Sequence, residues 1–240
     1  LLLEEYKRLQ VRLQMSMVGA AGEIIRRELA DAGFAGRLIL RGDHEIALRG
    51  AITGAGGILI AGTGSICCGV DENGHFARVG GWGHLIDDGG SGYAIGRDAL
   101  ALTVRGEDGR APRGALHDTV LRRTGAADAR GIVEFTYHGA SKAEVAALAA
   151  EVLRLAAQGD AQSAAILRRE AEELRELVSA LARELAIERP RIALMGGLLA
   201  EDNVYREAVC AALSGTAEPA RPLHDALWGA AQLAFEALGE

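Results

Sequence analysis

The sequence predicts an α/β protein, and three observations carry that prediction. Two apolar runs of strand character, Ile58-Leu59-Ile60-Ala61 and Arg191-Ile192-Ala193-Leu194-Met195, each end in a glycine-containing turn. Segments with helical spacing of apolar residues alternate with them. The 32 glycines, set against only 4 prolines, cluster between Gly50 and Gly96 instead of spreading along the 240 residues. Glycine admits positive φ and close approach of backbone to a ligand. In α/β sheets, ligands bind beyond the carboxyl ends of strands. The glycine cluster is therefore where chemistry is expected.

The elements follow in chain order. Glu23 to Ala32 carry Ile24, Ile25 and Leu29 at helical spacing, with Gly33 as the stop. Arg37 to Leu40 read as a short strand that delivers Asp43 just past its carboxyl end, and His44 to Arg49 as a helix start. Ala51 to Gly57 is a glycine-broken connection suited to a hinge. The strand Ile58 to Ala61 then runs into Gly62-Thr63-Gly64-Ser65, and Ile66 to Val70 resumes the apolar pattern. Asn73-Gly74 predicts a hairpin that pairs His75 to Val79 back on Ile66 to Val70. A helix is expected from Tyr93 to Val104, a polar loop over Arg105 to Gly114, and a helix over Ala115 to Thr124. Ile132 to Tyr137 fit strand and helix equally. Ser141-Lys142-Ala143-Glu144 matches a capping box and opens a helix to Gln158. A second long helix spans Gln162 to Ile187 and stops before Pro190. After the strand ending in Gly196-Gly197, helices are expected over Tyr205 to Leu213 and Asp225 to Leu238.

Composition narrows the function classes. A formal charge of -7 leaves no broad basic surface for a nucleic acid or an anionic membrane, so any phosphate must be held locally. No stretch approaches the length of a membrane span, and Leu1-Leu2-Leu3 runs directly into Glu4-Glu5. The 3 cysteines form neither a disulfide framework nor a zinc-ligand spacing, which points to a reducing cytoplasm. Cys67 and Cys68 alternate across a predicted strand and read as small packing residues. His44, His75 and His84 form no recognisable metal set.

Gly62-Thr63-Gly64-Ser65 is either a tight turn between strands or a phosphate cradle whose N–H groups and two hydroxyls surround oxygens. It has neither the lysine nor the spacing of a P-loop. Asp43, just before His44-Glu45-Ile46, reads as a helix cap. Taken together with Arg41-Gly42-Asp43-His44-Glu45-Ile46-Ala47-Leu48, the block Gly80-Gly81-Trp82-Gly83-His84-Leu85-Ile86-Asp87-Asp88, the block Gly90-Ser91-Gly92-Tyr93-Ala94-Ile95-Gly96 and the turn Met195-Gly196-Gly197-Leu198, this ordered set resembles the N-acetylglucosamine kinase and BadF/BadG/BcrA/BcrD-type ATPase family. The resemblance extends over residues 18 to 235.

The resemblance implies a two-lobed, actin-like or ribonuclease H-like ATPase fold with ATP in the cleft between lobes. Residues 1–53, joined by a helix over 225–240, would form the remainder of an incomplete amino-terminal lobe, and 54–224 the carboxy-terminal nucleotide- and sugar-binding lobe. It implies an ATP-dependent kinase acting on an amino sugar such as N-acetylglucosamine or glucosamine, at the 6-hydroxyl, with Mg2+. Asp43 matches the catalytic base; Gly62, Thr63, Gly64, Ser65, Gly196 and Gly197 match ATP contacts; Gly81, Trp82 and Asp88 match sugar contacts. No protein cluster is assigned as a metal site, and homodimerisation is left open.

This chain departs from the family pattern at two places. Members read Gly-Asp-Glu-Gly-Ser where it reads Asp87-Asp88-Gly89-Gly90-Ser91, so Asp87 competes with Asp88 for the sugar role. The Asp-Gly-Gly-Gly-Thr hairpin that opens family members has no counterpart before Gly19, and the sequence starts at Leu1 and not at Met. On this reading the sequence is a piece of a longer chain, or the protein does not turn over ATP as its relatives do. Two other functions stay open: an ATPase that activates a partner enzyme through a shared iron–sulfur cluster, and a non-catalytic sugar- or nucleotide-binding module.

Overall fold

A computed structural model describes residues 20–34 and 41–238. The expected strand Arg37 to Leu40 and the opening stretch Leu1 to Gln14 lie outside the described residues. In chain order the elements are α1 (Ala20–Asp31), α2 (Asp43–Ala51), β1 (Gly56–Ala61), β2 (Ser65–Val70), β3 (Phe76–Gly80), α3 (Gly92–Glu107) and α4 (Ala115–Thr124). They continue with α5 (Ala129–His138), α6 (Lys142–Ala157), α7 (Ala161–Glu184), β4 (Arg191–Met195), α8 (Val204–Ala212), β5 (Glu218–Ala220) and α9 (Ala226–Leu238). The chain divides into two compact units, residues 1–53 with 222–240, and residues 54–221.

In the first unit, α2 and α9 pack against each other. Gly50 and Gly229 sit at the contact, where a Cβ on either would stand 2.1 Å from a carbonyl oxygen, that of Asp225 or of Ile46. The returning chain is tied to the end of α2 by Leu223 N–H to Ala51 O (2.9 Å) and His224 N–H to Gly50 O (3.0 Å).

The second unit is built on one sheet of strand order β3-β2-β1-β4-β5. The first three strands are antiparallel, and β4 and β5 are parallel to β1. The central strand β1 is buried along nearly its whole length, as a strand covered on both faces must be, which is why it reads as an unbroken apolar run. The edge strand β3 instead alternates, with Phe76 and Arg78 exposed and Ala77 buried. Helix α7 lies against β2 and β3 and presents Leu174, Val178 and Leu181 to the core, all fully buried.

Several expectations are corrected. The strand after Asn73-Gly74 begins at Phe76 because the Asp71 carboxylate accepts from both Asn73 N–H and His75 N–H at 2.8 Å, which takes His75 into the turn. Helix α3 continues through Glu107, three residues into the expected loop. Its last turn is held by α4, whose His117 Nε2 lies 2.8 Å from Glu107 Oε1, and by Arg113, which donates to Gly106 O. Ile132 to Tyr137 are helical, in α5, because Asp128 caps the segment by accepting from Gly131 N–H. Helix α7 ends at Glu184, before Ile187. Strand β5 was not expected, since three residues centred on Pro219 carry no strand signal; it survives as an edge strand paired to β4.

Candidate functional site

The parallel pairing of β1 and β4, with Ile60 opposite Met195, brings two glycine turns side by side at the carboxyl ends of these strands. One is Gly62-Thr63-Gly64, which joins β1 to β2 across the paired residues Ala61 and Ser65. The other is Gly196-Gly197. Gly196 has φ +88°, and a Cβ there would stand 2.4 Å from Ala61 O, so only glycine lets this turn fold onto the end of β1. Leu198 N–H then donates to the same Ala61 oxygen at 3.1 Å. At Gly62 and Gly197 a Cβ would meet nothing within 4 Å, and Thr63 is exposed, so the outer face of the pair is open.

The helix that follows does not supply free donors to this surface. The first N–H groups of α3 are spent inside the protein, Gly92 on Gly62 O (2.7 Å), Tyr93 on Thr63 O (3.4 Å) and Ala94 on the Ser91 hydroxyl (3.2 Å). An anion at this place would be held by the turns themselves.

The segment 87–91 is fastened from three directions. The Ser65 hydroxyl donates to Gly89 O (2.6 Å), Gly90 N–H donates to Glu170 Oε2 of α7 (2.7 Å), and the fully buried Tyr205 of α8 donates its hydroxyl to Gly90 O (2.7 Å). Asp87 accepts from Trp82 N–H at 3.1 Å and thereby closes its own loop. Asp88 is the buried acid, 3% exposed and at φ +64°, an uncommon conformation for a residue other than glycine. Its Oδ2 lies 2.8 Å from Lys142 Nζ and beside Gly64, where a Cβ would stand 2.9 Å from that oxygen. The two neighbouring aspartates thus have different surroundings. At Gly89 the Glu173 side chain of α7 occupies the space, its Oε2 2.8 Å from where a Cβ would be.

Trp82 is 66% exposed, with the Arg78 guanidinium 4.7 Å from its ring centroid, and so is not a core residue. Gly81 packs over Ile66 in the same turn. Asp43 belongs to the first unit. It is the first residue of α2 and not its cap, which is Gly42, and its side chain is 72% exposed. His44 donates to its Oδ1 from the backbone N–H at 2.8 Å, and its Nδ1 lies 3.3 Å from that oxygen. The His44 side-chain contact, partly opposed by burial, holds the Asp43 carboxyl below its ordinary value of 3.8, so Asp43 is a carboxylate at neutral pH.

Cys67 and Cys68 are both fully buried, and burial pushes the Cys67 thiol well up, which suits a packing residue and not a thiolate ligand. Among the described residues no group of three or more His, Cys, Asp or Glu side chains could hold a metal ion. No helix among them is long and apolar enough to cross a membrane. A shallow depression of about 650 Å³ between Thr124 and Gly139 contains none of the residues singled out in the sequence.

Within the second unit, then, Gly62 to Ser65, Asp88 and Gly196-Gly197 meet at the ends of β1 and β4. Lys142, Glu170 and Tyr205 were not foreseen. Glu170 did carry a signal, a carboxylate on the stripe Leu167, Glu170, Ala171, Leu174 that the helix buries. Lys142 carried none, being 54 residues from its partner.

The family model described as BadF/BadG/BcrA/BcrD ATPase family matches residues 14–234. A curated relative from Clostridium acetobutylicum, named N-acetylmuramic acid/N-acetylglucosamine kinase, is 34% identical over 78% of this chain and 64% of its own length. One from Dictyostelium discoideum, named N-acetyl-D-glucosamine kinase, is 29% identical over 62% of this chain and 48% of its own length. The chain thus spans between about half and two thirds of the curated relatives it matches. A solved structure from Chromobacterium violaceum, assigned as an N-acetylglucosamine kinase, is 30% identical with a TM-score of 0.74, covering 90% of this chain and 72% of that one. A ROK hexokinase from Thermus thermophilus, 17% identical over 89% of this chain and 71% of that one with a TM-score of 0.51, shares the fold.

Proposed function

Since this chain belongs to the BadF/BadG/BcrA/BcrD ATPase family, we propose that it is an ATP-dependent kinase that phosphorylates an amino sugar, N-acetylglucosamine, glucosamine or a close relative, at the 6-hydroxyl. The observation that carries this reading is the meeting of two open glycine turns and one buried, ion-paired carboxylate at the ends of β1 and β4. The names of the relatives at 34% and 30% identity support the same class of substrate.

In this mechanism Gly62 to Ser65 cradle nucleotide phosphates with backbone N–H groups and hydroxyls, and Gly196-Gly197 let the adenosine lie against bare backbone. Trp82 offers an aromatic face to the apolar side of the pyranose, beside Gly81, and Asp88 accepts a bond from a sugar hydroxyl. Asp43 takes the proton of the attacking hydroxyl as the phosphoryl group arrives; its exposure and its ionised state suit a base. A bound Mg2+ supplies neutralisation of phosphate charge.

The test is a coupled assay of ADP release over a panel of hexosamines, followed by NMR location of the phosphate. Sugar-dependent ADP release and a 6-phosphate are expected. Release without any sugar dependence, or a phosphate on another oxygen, rejects the corresponding part of the reading.

A further inference from the structure

Lys142 is the first residue of α6, on a helix start fixed by a capping box: Ser141 accepts from Glu144 N–H, and Glu144 Oε2 accepts from Ser141 N–H at 2.8 Å. From that fixed point its ammonium reaches the Asp88 carboxylate at 2.8 Å. Asp88 is almost wholly buried, whereas the Lys142 side chain is 33% exposed. A buried carboxylate without a cation is costly, so the lysine is what allows the Asp88 side chain to stand where it does. The bond uses Oδ2. No hydrogen bond from the described residues reaches Oδ1. Gly64 completes the arrangement, because a Cβ there would stand 2.9 Å from Asp88 Oδ2 and 3.2 Å from Lys142 Nζ and would push the pair apart.

We infer that Lys142 is a positioning residue for sugar: it holds Asp88 as an oriented anion over the Gly62-Thr63-Gly64 turn, with Oδ2 bound and Oδ1 presented to a substrate hydroxyl. The inference rests on the kinase reading, since it takes Asp88 as the sugar contact, and it adds a residue that acts on sugar binding through that carboxylate.

The experiment compares wild type, Lys142→Gln, Lys142→Arg, Asp88→Asn and the double variant Asp88→Asn/Lys142→Gln. It measures KM for N-acetylglucosamine, KM for ATP and kcat, together with calorimetric sugar binding in the absence of ATP. Lys142→Gln is expected to weaken sugar by about 10- to 100-fold, the worth of a charge-assisted hydrogen bond, and to leave KM for ATP within about threefold. The double variant is expected to bind sugar no worse than Asp88→Asn alone, because the lysine acts only through that carboxylate. Lys142→Arg keeps the charge and is expected to recover most of the affinity. Should Lys142→Gln fail to fold, the double variant against Asp88→Asn alone reads the lysine's role without an uncompensated buried charge: equal sugar affinity is expected, and a further loss overturns the inference. A rise in KM for ATP without a rise for sugar, losses that add in the double variant, or unchanged sugar binding in Lys142→Gln overturns the inference and leaves the kinase reading intact. Wild-type protein that binds no hexosamine overturns both.

Discussion

Asp43 and Asp88 are two carboxylates in different surroundings, one exposed beside His44 and the other buried against Lys142. Asp43 is exposed and its carboxyl is held below 3.8 by His44, so it is ionised from acid pH upward. Asp43 loses its acceptor form only as pH falls through that lowered value. Protonation of Asp43 therefore produces no acid limb in kcat within or above the ordinary carboxylate range. A pH–rate profile checks this, and an acid limb above the ordinary carboxylate range that shifts in Asp43→Glu would contradict it. Asp43→Asn is expected to lower kcat by about a hundredfold or more while calorimetry finds sugar affinity little changed. At the turns, Gly196→Ala combines a positive φ with a Cβ 2.4 Å from Ala61 O. Such a substitution costs about 1–3 kcal/mol or more, measurable as a lower denaturation midpoint.

At the scale of elements, the 87–91 segment is held by helices distant in sequence. Removing the Tyr205 hydroxyl in Tyr205→Phe leaves Gly90 O without its donor and is expected to cost about 1–3 kcal/mol in urea unfolding. Glu170 adds a pH dependence. Burial, partly offset by the bond from Gly90 N–H, raises its carboxyl above 4.5, so the folded state keeps this proton to higher pH than the unfolded state does. Its contribution to stability is therefore full below 4.5 and is lost as pH rises through the raised value. Glu170→Gln is expected to flatten this part of the stability–pH curve, as followed by thermal unfolding at a series of pH values. The hairpin β2–β3 was legible because Asp71 and Asn73-Gly74 act locally. The end of α3 was not, because His117 and Arg113, from beyond the helix, extend it past the polar residues that suggested a loop.

At the scale of the whole molecule, the sheet order and the structural neighbours give the fold of the actin-like sugar kinases. The partner-activating alternative requires cysteine ligands for an iron–sulfur cluster, and the buried Cys67 and Cys68 are unsuited to that. Purified protein is therefore expected to be colourless, with no iron by elemental analysis and no visible absorption. Brown, iron-containing protein would revive that alternative.

The alternation of elements, the placing of glycine turns after β1 and β4, and the family were all readable along the chain, because each depends on residues within a few positions of one another. The surroundings of Asp88 were not. Lys142, Gly64, Glu170 and Tyr205 come to one loop from a turn and three helices, and a carboxylate's charge, orientation and exposure depend on such neighbours through space. No periodicity or motif encodes a contact between residues 54 positions apart; packing of the helices against the sheet creates it, and with it the difference between Asp87 and Asp88.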